Sequence, residues 1–163
     1  MAKKRPNPQT TKITETAAGR PSRAAVIVYS IAALLTLAGL ADATYLTASH
    51  LSGETVTCFG TANCSEVLGS SYAKIGPAPL AAFGVAAYLV AFIAAVLAAF
   101  GEPRARSVLM VAVAAMFLAT LWLLYVQAFI LHAYCSYCLL SAALTFALAG
   151  IVIVVPPPSR VDA

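Results

Sequence analysis

Apolar residues in this chain do not alternate with polar ones but fill whole stretches. Four runs, 24–46, 78–100, 108–131 and 138–155, consist mainly of Ala, Leu, Val, Ile and aromatic residues, and the charged residues gather between and beyond them. A helix rising about 1.5 Å per residue needs about 20 apolar residues to cross a hydrocarbon layer about 30 Å thick. The pattern therefore predicts four transmembrane helices, the form in which a chain bonds its own backbone groups where water is absent. The fourth run is the shortest, and it stops at Pro156-Pro157-Pro158, where the backbone donors a continuing helix needs are missing. Residues 1–23 are rich in Lys, Pro, Thr and Asn without an apolar period and read as a disordered basic tail; 156–163 read as a second tail. The expected fold class is an all-α membrane protein, a four-transmembrane-helix bundle over 24–155.

Between the first two runs lies a long loop, 47–77, longer than the connections usually left without structure. Val67, Leu68, Tyr72 and Ile75 fall in it at roughly helical spacing, which predicts a short interfacial helix in this loop. Ala-rich steps such as Ala94-Ala95 and Ala98-Ala99 predict close helix approach, because small residues let backbones pack in lipid. Composition agrees: the chain is 61% hydrophobic and 10% charged, with a mean hydropathy of +0.88, outside the soluble range.

Charge adds an orientation. Lys3, Lys4, Arg5, Lys12, Arg20 and Arg23 precede the first run, Arg104 and Arg106 lie between the second and third, and Arg160 follows the fourth; Lys74 alone remains for the opposite side. Basic flanks are retained in the cytoplasm, so both termini are expected there, in an inner (cytoplasmic) membrane, with 47–77 and 132–137 facing outward. The net charge of +4 thus reads as a topology signal and argues against nucleic acid as a partner. A cleaved leader ending near Ala41-Asp42-Ala43 is the competing reading of the N-terminal part, and it too leaves the large loop outside.

The four cysteines form two pairs, Cys58-x5-Cys64 in the outer loop and Cys135-Ser-Tyr-Cys138 at the start of the last run. A C-x-x-C pair opening a helix suits a reactive dithiol, since unpaired amides and the positive dipole end favour a thiolate. Two structural disulfides and a four-thiolate zinc site are the alternatives. Short-loop disulfides remove little unfolded-state entropy, and zinc pairs are usually spaced more tightly than x5, so a redox relay is preferred and no metal is expected.

These residues resemble the vitamin K epoxide reductase family, in particular its bacterial membrane homologues. The matching stretches are Asp42-x-x-Tyr45-Leu46, Cys58-x5-Cys64-x-x-Val67, Ser70 with Tyr72-Ala73, Gly76-x6-Phe83-Gly84-x3-Tyr88 and Cys135-x-x-Cys138, in order over about residues 40–145. The resemblance implies a helix bundle around a quinone, of menaquinone or ubiquinone type. It also implies a separate thioredoxin-like dithiol oxidase of the extracytoplasmic space as partner, since no fused domain of that kind follows the fourth run. By the same analogy the partner attacks Cys58, Cys64 exchanges with Cys135, and Cys138 is freed beside the quinone, which it reduces. The vertebrate members place Asn and Tyr at the quinone, where this chain has Leu80 and Ala142; this disfavours the epoxide and favours a quinone held by apolar contact. Ser70 and Phe83 are further expected binding residues.

Asp42 and His132 are expected in proton or polar roles, Asp42 as an ionisable group inside a span and His132 because histidine exchanges protons near neutral pH. Tyr88 and Tyr134 either wall the site or pack, and Trp122 is expected in the core or toward lipid. The alternative function is a non-enzymatic membrane assembly or transporter module with structural disulfides. Against it, the spans offer little polar lining for a transport path.

Overall fold

The computed structural model describes residues 23–53, 64–75 and 78–154. In chain order it has α1 (Arg23–Ser52), a short α2 (Cys64–Gly69), a 3-10 turn (Ser71–Ala73), β1 (Lys74–Ile75), β2 (Ala78–Pro79), α3 (Leu80–Ala99), α4 (Pro103–Tyr125) continued by a π-helical segment (Val126–Leu131), and α5 (Ser136–Val154). Among the described residues four helices are long and apolar enough to cross a membrane: Arg23–Ser52, Leu80–Ala99, Pro103–Leu131 and Ser136–Val154. The protein is an all-α, four-helix membrane bundle. The expected tails lie outside the described residues, except that Arg23 already belongs to α1.

The bundle is small inside and large outside. Ala32, Ala43, Ala91, Ala94, Ala95, Ala98 and Ala105 are buried, while Ile27, Leu34, Val111, Leu118 and Ile153 face outward. Lipid tails are as apolar as leucine, so little is gained by burying large side chains; small ones let the backbones come close. Trp122 takes the lipid-facing option and stacks on Tyr125, ring centroids 6.0 Å apart.

One contact ties three helices together. A Cβ on Gly39 of α1 would collide with the ring of Tyr88 on α3, so only glycine admits the tyrosine here. The Tyr88 hydroxyl then reaches α5, donating to the Ser141 carbonyl (3.1 Å) and lying 2.9 Å from Ser141 Oγ and 3.2 Å from Thr145 Oγ1. α1 packs most extensively on α3, and α4 closes against α3 and α5.

Several boundaries differ from the hydropathy reading. α1 runs past residue 46 to Ser52, taking in the first part of the expected loop, because nothing after Leu46 breaks a helix until Gly53 adopts a left-handed φ of 69°. Thr47 is accommodated by donating to the Ala43 carbonyl at 2.7 Å. α4 begins at Pro103, not 108: Pro sits in the first turn, and the Glu102 carboxylate accepts from the Arg104 N–H at 3.4 Å. Hydropathy reports what lipid tolerates, whereas these ends are set by capping. The interfacial helix is present but shorter than its apolar spacing suggested. It ends at Gly69; Tyr72 lies in the 3-10 turn and Ile75 on β1, which pairs with β2 antiparallel, Lys74 opposite Pro79. That pairing holds Ala78 and Pro79 out of α3, which starts at Leu80.

Candidate functional site

The described segments that carry Cys64, Cys135 and Cys138 meet at one end of the bundle. Cys64 opens α2, is 1% exposed and is disulfide-bonded; Cys58 lies outside the described residues. Cys135 is fully buried just before α5, and Cys138 stands half-buried in the first turn of α5, both as free thiols. Cys64, Val67, Ala133 and Cys135 form one apolar cluster, with Leu68, Leu131, Tyr137 and Cys138 packed against it. This cluster is separate from the alanine-rich core of the helices.

The turn carrying Cys135 is built by the π-helical segment, which the hydropathy pattern could not reveal. One wider turn ends at His132, the only non-glycine residue with positive φ (49°) among those described. The Gln127 carbonyl accepts the N–H groups of His132 and of Ala133, the latter at 3.2 Å. The Gln127 side chain, 2% exposed, adds its Oε1 as acceptor for the Cys135 N–H at 2.9 Å. Sequence reasoning missed Gln127. Its signal was a lone amide in an apolar run eight residues before a cysteine, a pattern too common to single out.

The dithiol is electrostatically asymmetric. A hydrogen bond from the Cys138 side chain draws Cys135 down from the ordinary thiol range to about 7; burial opposes this, and the backbone N–H groups of Cys138 and Tyr137 assist. The Cys138 N–H lies 3.4 Å from Cys135 Sγ, and the Asp42 charge weakly opposes the thiolate.

Behind the dithiol a cavity of about 140 Å³ opens between α1, α2, α3, the end of α4 and α5. Among the described cysteines Cys138 lies in its wall, whereas Cys64 and Cys135 sit in the apolar cluster against which Cys138 packs. Leu80, Ala142, Ser70 and Asp42 all line it. Ser70 spends its hydroxyl proton on the Val67 carbonyl, 2.7 Å away, where α2 ends. Asp42 is 9% exposed, and neither carboxylate oxygen has a hydrogen-bond partner among the described residues.

Two expected residues are not brought to the cavity. Phe83 is 49% exposed, on the face of α3 away from Leu80, Gly84 and Tyr88, because the helical turn carries it past the wall. His132 is exposed and serves as the left-handed corner of the turn; of the two histidines it is His50, about two helical turns beyond Asp42 on the same helix, that lines the cavity. Tyr88 both lines the cavity and packs, whereas Tyr134 is half exposed outside it.

A family model described as the vitamin K epoxide reductase family matches residues 30–153, from within α1 almost to the end of α5. The chain belongs to the vitamin K epoxide reductase family. No curated protein matches it individually. Membership makes it a multi-pass membrane oxidoreductase, and the family uses a quinone. The cavity fits such a group. Its volume is that of an apolar cavity able to take up one aromatic ring. Leu80 and Ala142 offer apolar walls at the two positions where the resemblance led one to look for polar groups, and Cys138 is the thiol on the wall.

Proposed function

We propose that this protein oxidises a thioredoxin-like dithiol partner outside the cytoplasm and passes two electrons, through Cys58/Cys64 and then Cys135/Cys138, to a membrane quinone. The observation that supports this reading is the placement of the described cysteines, with Cys64 and Cys135 sharing a buried cluster and Cys138, packed against it, on the cavity wall. The segregation of Lys and Arg supports the orientation, with both termini in the cytoplasm and the cysteines on the outer side of the inner membrane.

The steps balance as thiol–disulfide exchange. A partner thiolate attacks Cys58, the Cys58–Cys64 bond breaks, and Cys64 leaves as a thiolate. Cys64 attacks Cys135, breaking Cys135–Cys138 and releasing Cys138. The partner's second thiol displaces Cys58, so the partner departs as a disulfide. Cys58 then attacks Cys64, restoring the outer bond and leaving Cys135 and Cys138 as the dithiol. When bound, the quinone supplies an acceptor for two electrons and two protons. Re-forming the Cys135–Cys138 bond releases both, and Asp42, unbonded at the cavity, takes up and hands on a proton from Cys138. A depressed Cys135 makes it the better leaving sulfur in the return exchange from Cys64.

The test is anaerobic reduction of a quinone analogue by a reduced thioredoxin-like protein, with and without the full chain in membranes. Chain-dependent quinol formation, one partner disulfide per quinol, is expected. Quinol formation that persists when Cys64 or Cys135 is replaced by Ala would rule out the relay.

A further inference from the structure

Among the described residues, three buried polar side chains line the cavity: Asp42, Tyr88 and Gln127. Their hydrogen bonds can be accounted for one by one. The Tyr88 hydroxyl is engaged with Ser141 and Thr145. Asp42 has two open oxygens, which offer a site for proton exchange. Gln127 is split: an N–H group is a donor only, so the atom facing Cys135 must be the amide oxygen, 2.9 Å from the Cys135 nitrogen. The amide nitrogen carries two N–H donors, on a side chain that lines the cavity. Polar groups in a protein interior are held by hydrogen bonds, so donors on a cavity wall favour an occupant that accepts from them.

We infer that Gln127 is a bridging residue, whose Oε1 fixes the backbone of Cys135 while its amide nitrogen donates a hydrogen bond to a carbonyl oxygen of the quinone. This rests on the proposed quinone-linked function and deepens it. Leu80 and Ala142 leave the cavity without polar groups at their positions, and Gln127 supplies a donor from the end of α4 instead. A quinone carbonyl accepts hydrogen bonds and donates none, which matches a wall offering N–H. One side chain thereby connects the occupied cavity to the turn on which Cys135 is attacked. The π-helical segment explains why this is feasible: its wider turn presents Gln127 inward and lets the same residue's carbonyl hold His132 and Ala133.

The experiment uses the full chain in lipid nanodiscs and two variants. Gln127→Met keeps the approximate shape but neither polar atom; Gln127→Glu keeps a carbonyl acceptor for the Cys135 N–H in either protonation state. In a Cys58→Ala background, accumulation of the Cys64–Cys135 bridge after oxidation should slow about tenfold in Gln127→Met, the factor that about 1.4 kcal/mol represents, and be restored to within about twofold by Gln127→Glu. Infrared difference spectra with a carbonyl-labelled quinone analogue should show a downshifted carbonyl band in the otherwise native chain and its return to higher frequency in Gln127→Met. An unslowed bridge in Gln127→Met overturns the backbone role, and an unmoved carbonyl band overturns the donor role. If Gln127→Met does not insert, a Gln127→Glu chain that forms the bridge more than tenfold slower overturns the backbone role by itself. Absence of the bridge in Cys58→Ala with Gln127 intact, together with absence of analogue binding, would instead remove the relay reading, so the two failures are distinguishable.

Discussion

Adding one methyl group at Gly39 should unseat Tyr88 and loosen three helices together. A Cβ there would overlap the Tyr88 ring, with even the more distant Cδ1 only 2.7 Å away. The ring cannot swing aside freely, because its hydroxyl is held by Ser141 and Thr145. Forcing a methyl into a packed interior costs about 1–3 kcal/mol, and giving up a hydrogen bond at the hydroxyl adds about 1 kcal/mol. Gly39→Ala should therefore lose about 2–4 kcal/mol of stability. Reversible unfolding in bicelles, monitored by helical circular dichroism, measures it. The decisive comparison is a double-mutant cycle: in a Tyr88→Ala background the methyl has room, and its cost should fall below about 0.5 kcal/mol. Equal cost in both backgrounds, or a Gly39→Ala protein as stable as the parent, would refute the close approach of α1 and α3 at this point.

Replacing any one of the four cysteines by Ala should abolish partner-dependent quinone reduction, and Cys58→Ala should accumulate a Cys64–Cys135 bridge, read by protease mapping under oxidising conditions. The thiolate absorbance assigned to Cys135, taken as a difference against Cys135→Ser, should rise with a midpoint near pH 7. Below that midpoint the sulfur is protonated and a poor nucleophile, above it the thiolate prevails, and because the largest cause is the hydrogen bond from Cys138, Cys138→Ala should move the midpoint toward the ordinary thiol range. Asp42→Asn should slow quinone reduction by the pre-reduced chain about 100-fold, the scale of a positioned proton carrier, while bridge formation between Cys64 and Cys135 in the Cys58→Ala background stays unchanged; an unaltered reduction rate in stopped flow would remove Asp42 from proton transfer.

Two kinds of correction to the sequence reading have different physical origins. The helix ends at Ser52 and Pro103 were set by local chemistry, a left-handed glycine and a proline with a capping glutamate, and were in principle readable; apolar run length simply asks a different question. The exchange of Phe83 and His132 for His50 and Gln127 at the cavity was not readable, because it depends on how helices are rotated about their axes. Nearly uniform apolar helices carry almost no periodic signal to specify that rotation, in contrast to an amphipathic helix in water.

What the chain alone determined was the number of spans and the family, because each follows from features local in sequence: apolar run length and motif spacing. What only the folded structure decided was the clustering of Cys64 with Cys135 beside the cavity that Cys138 lines, the clamp of Gln127 on Cys135, and which polar atoms remain open on the cavity wall. Those depend on contacts between distant helices, brought into register by one missing Cβ at Gly39 and one reaching hydroxyl at Tyr88, and no local pattern encodes where such surfaces will meet.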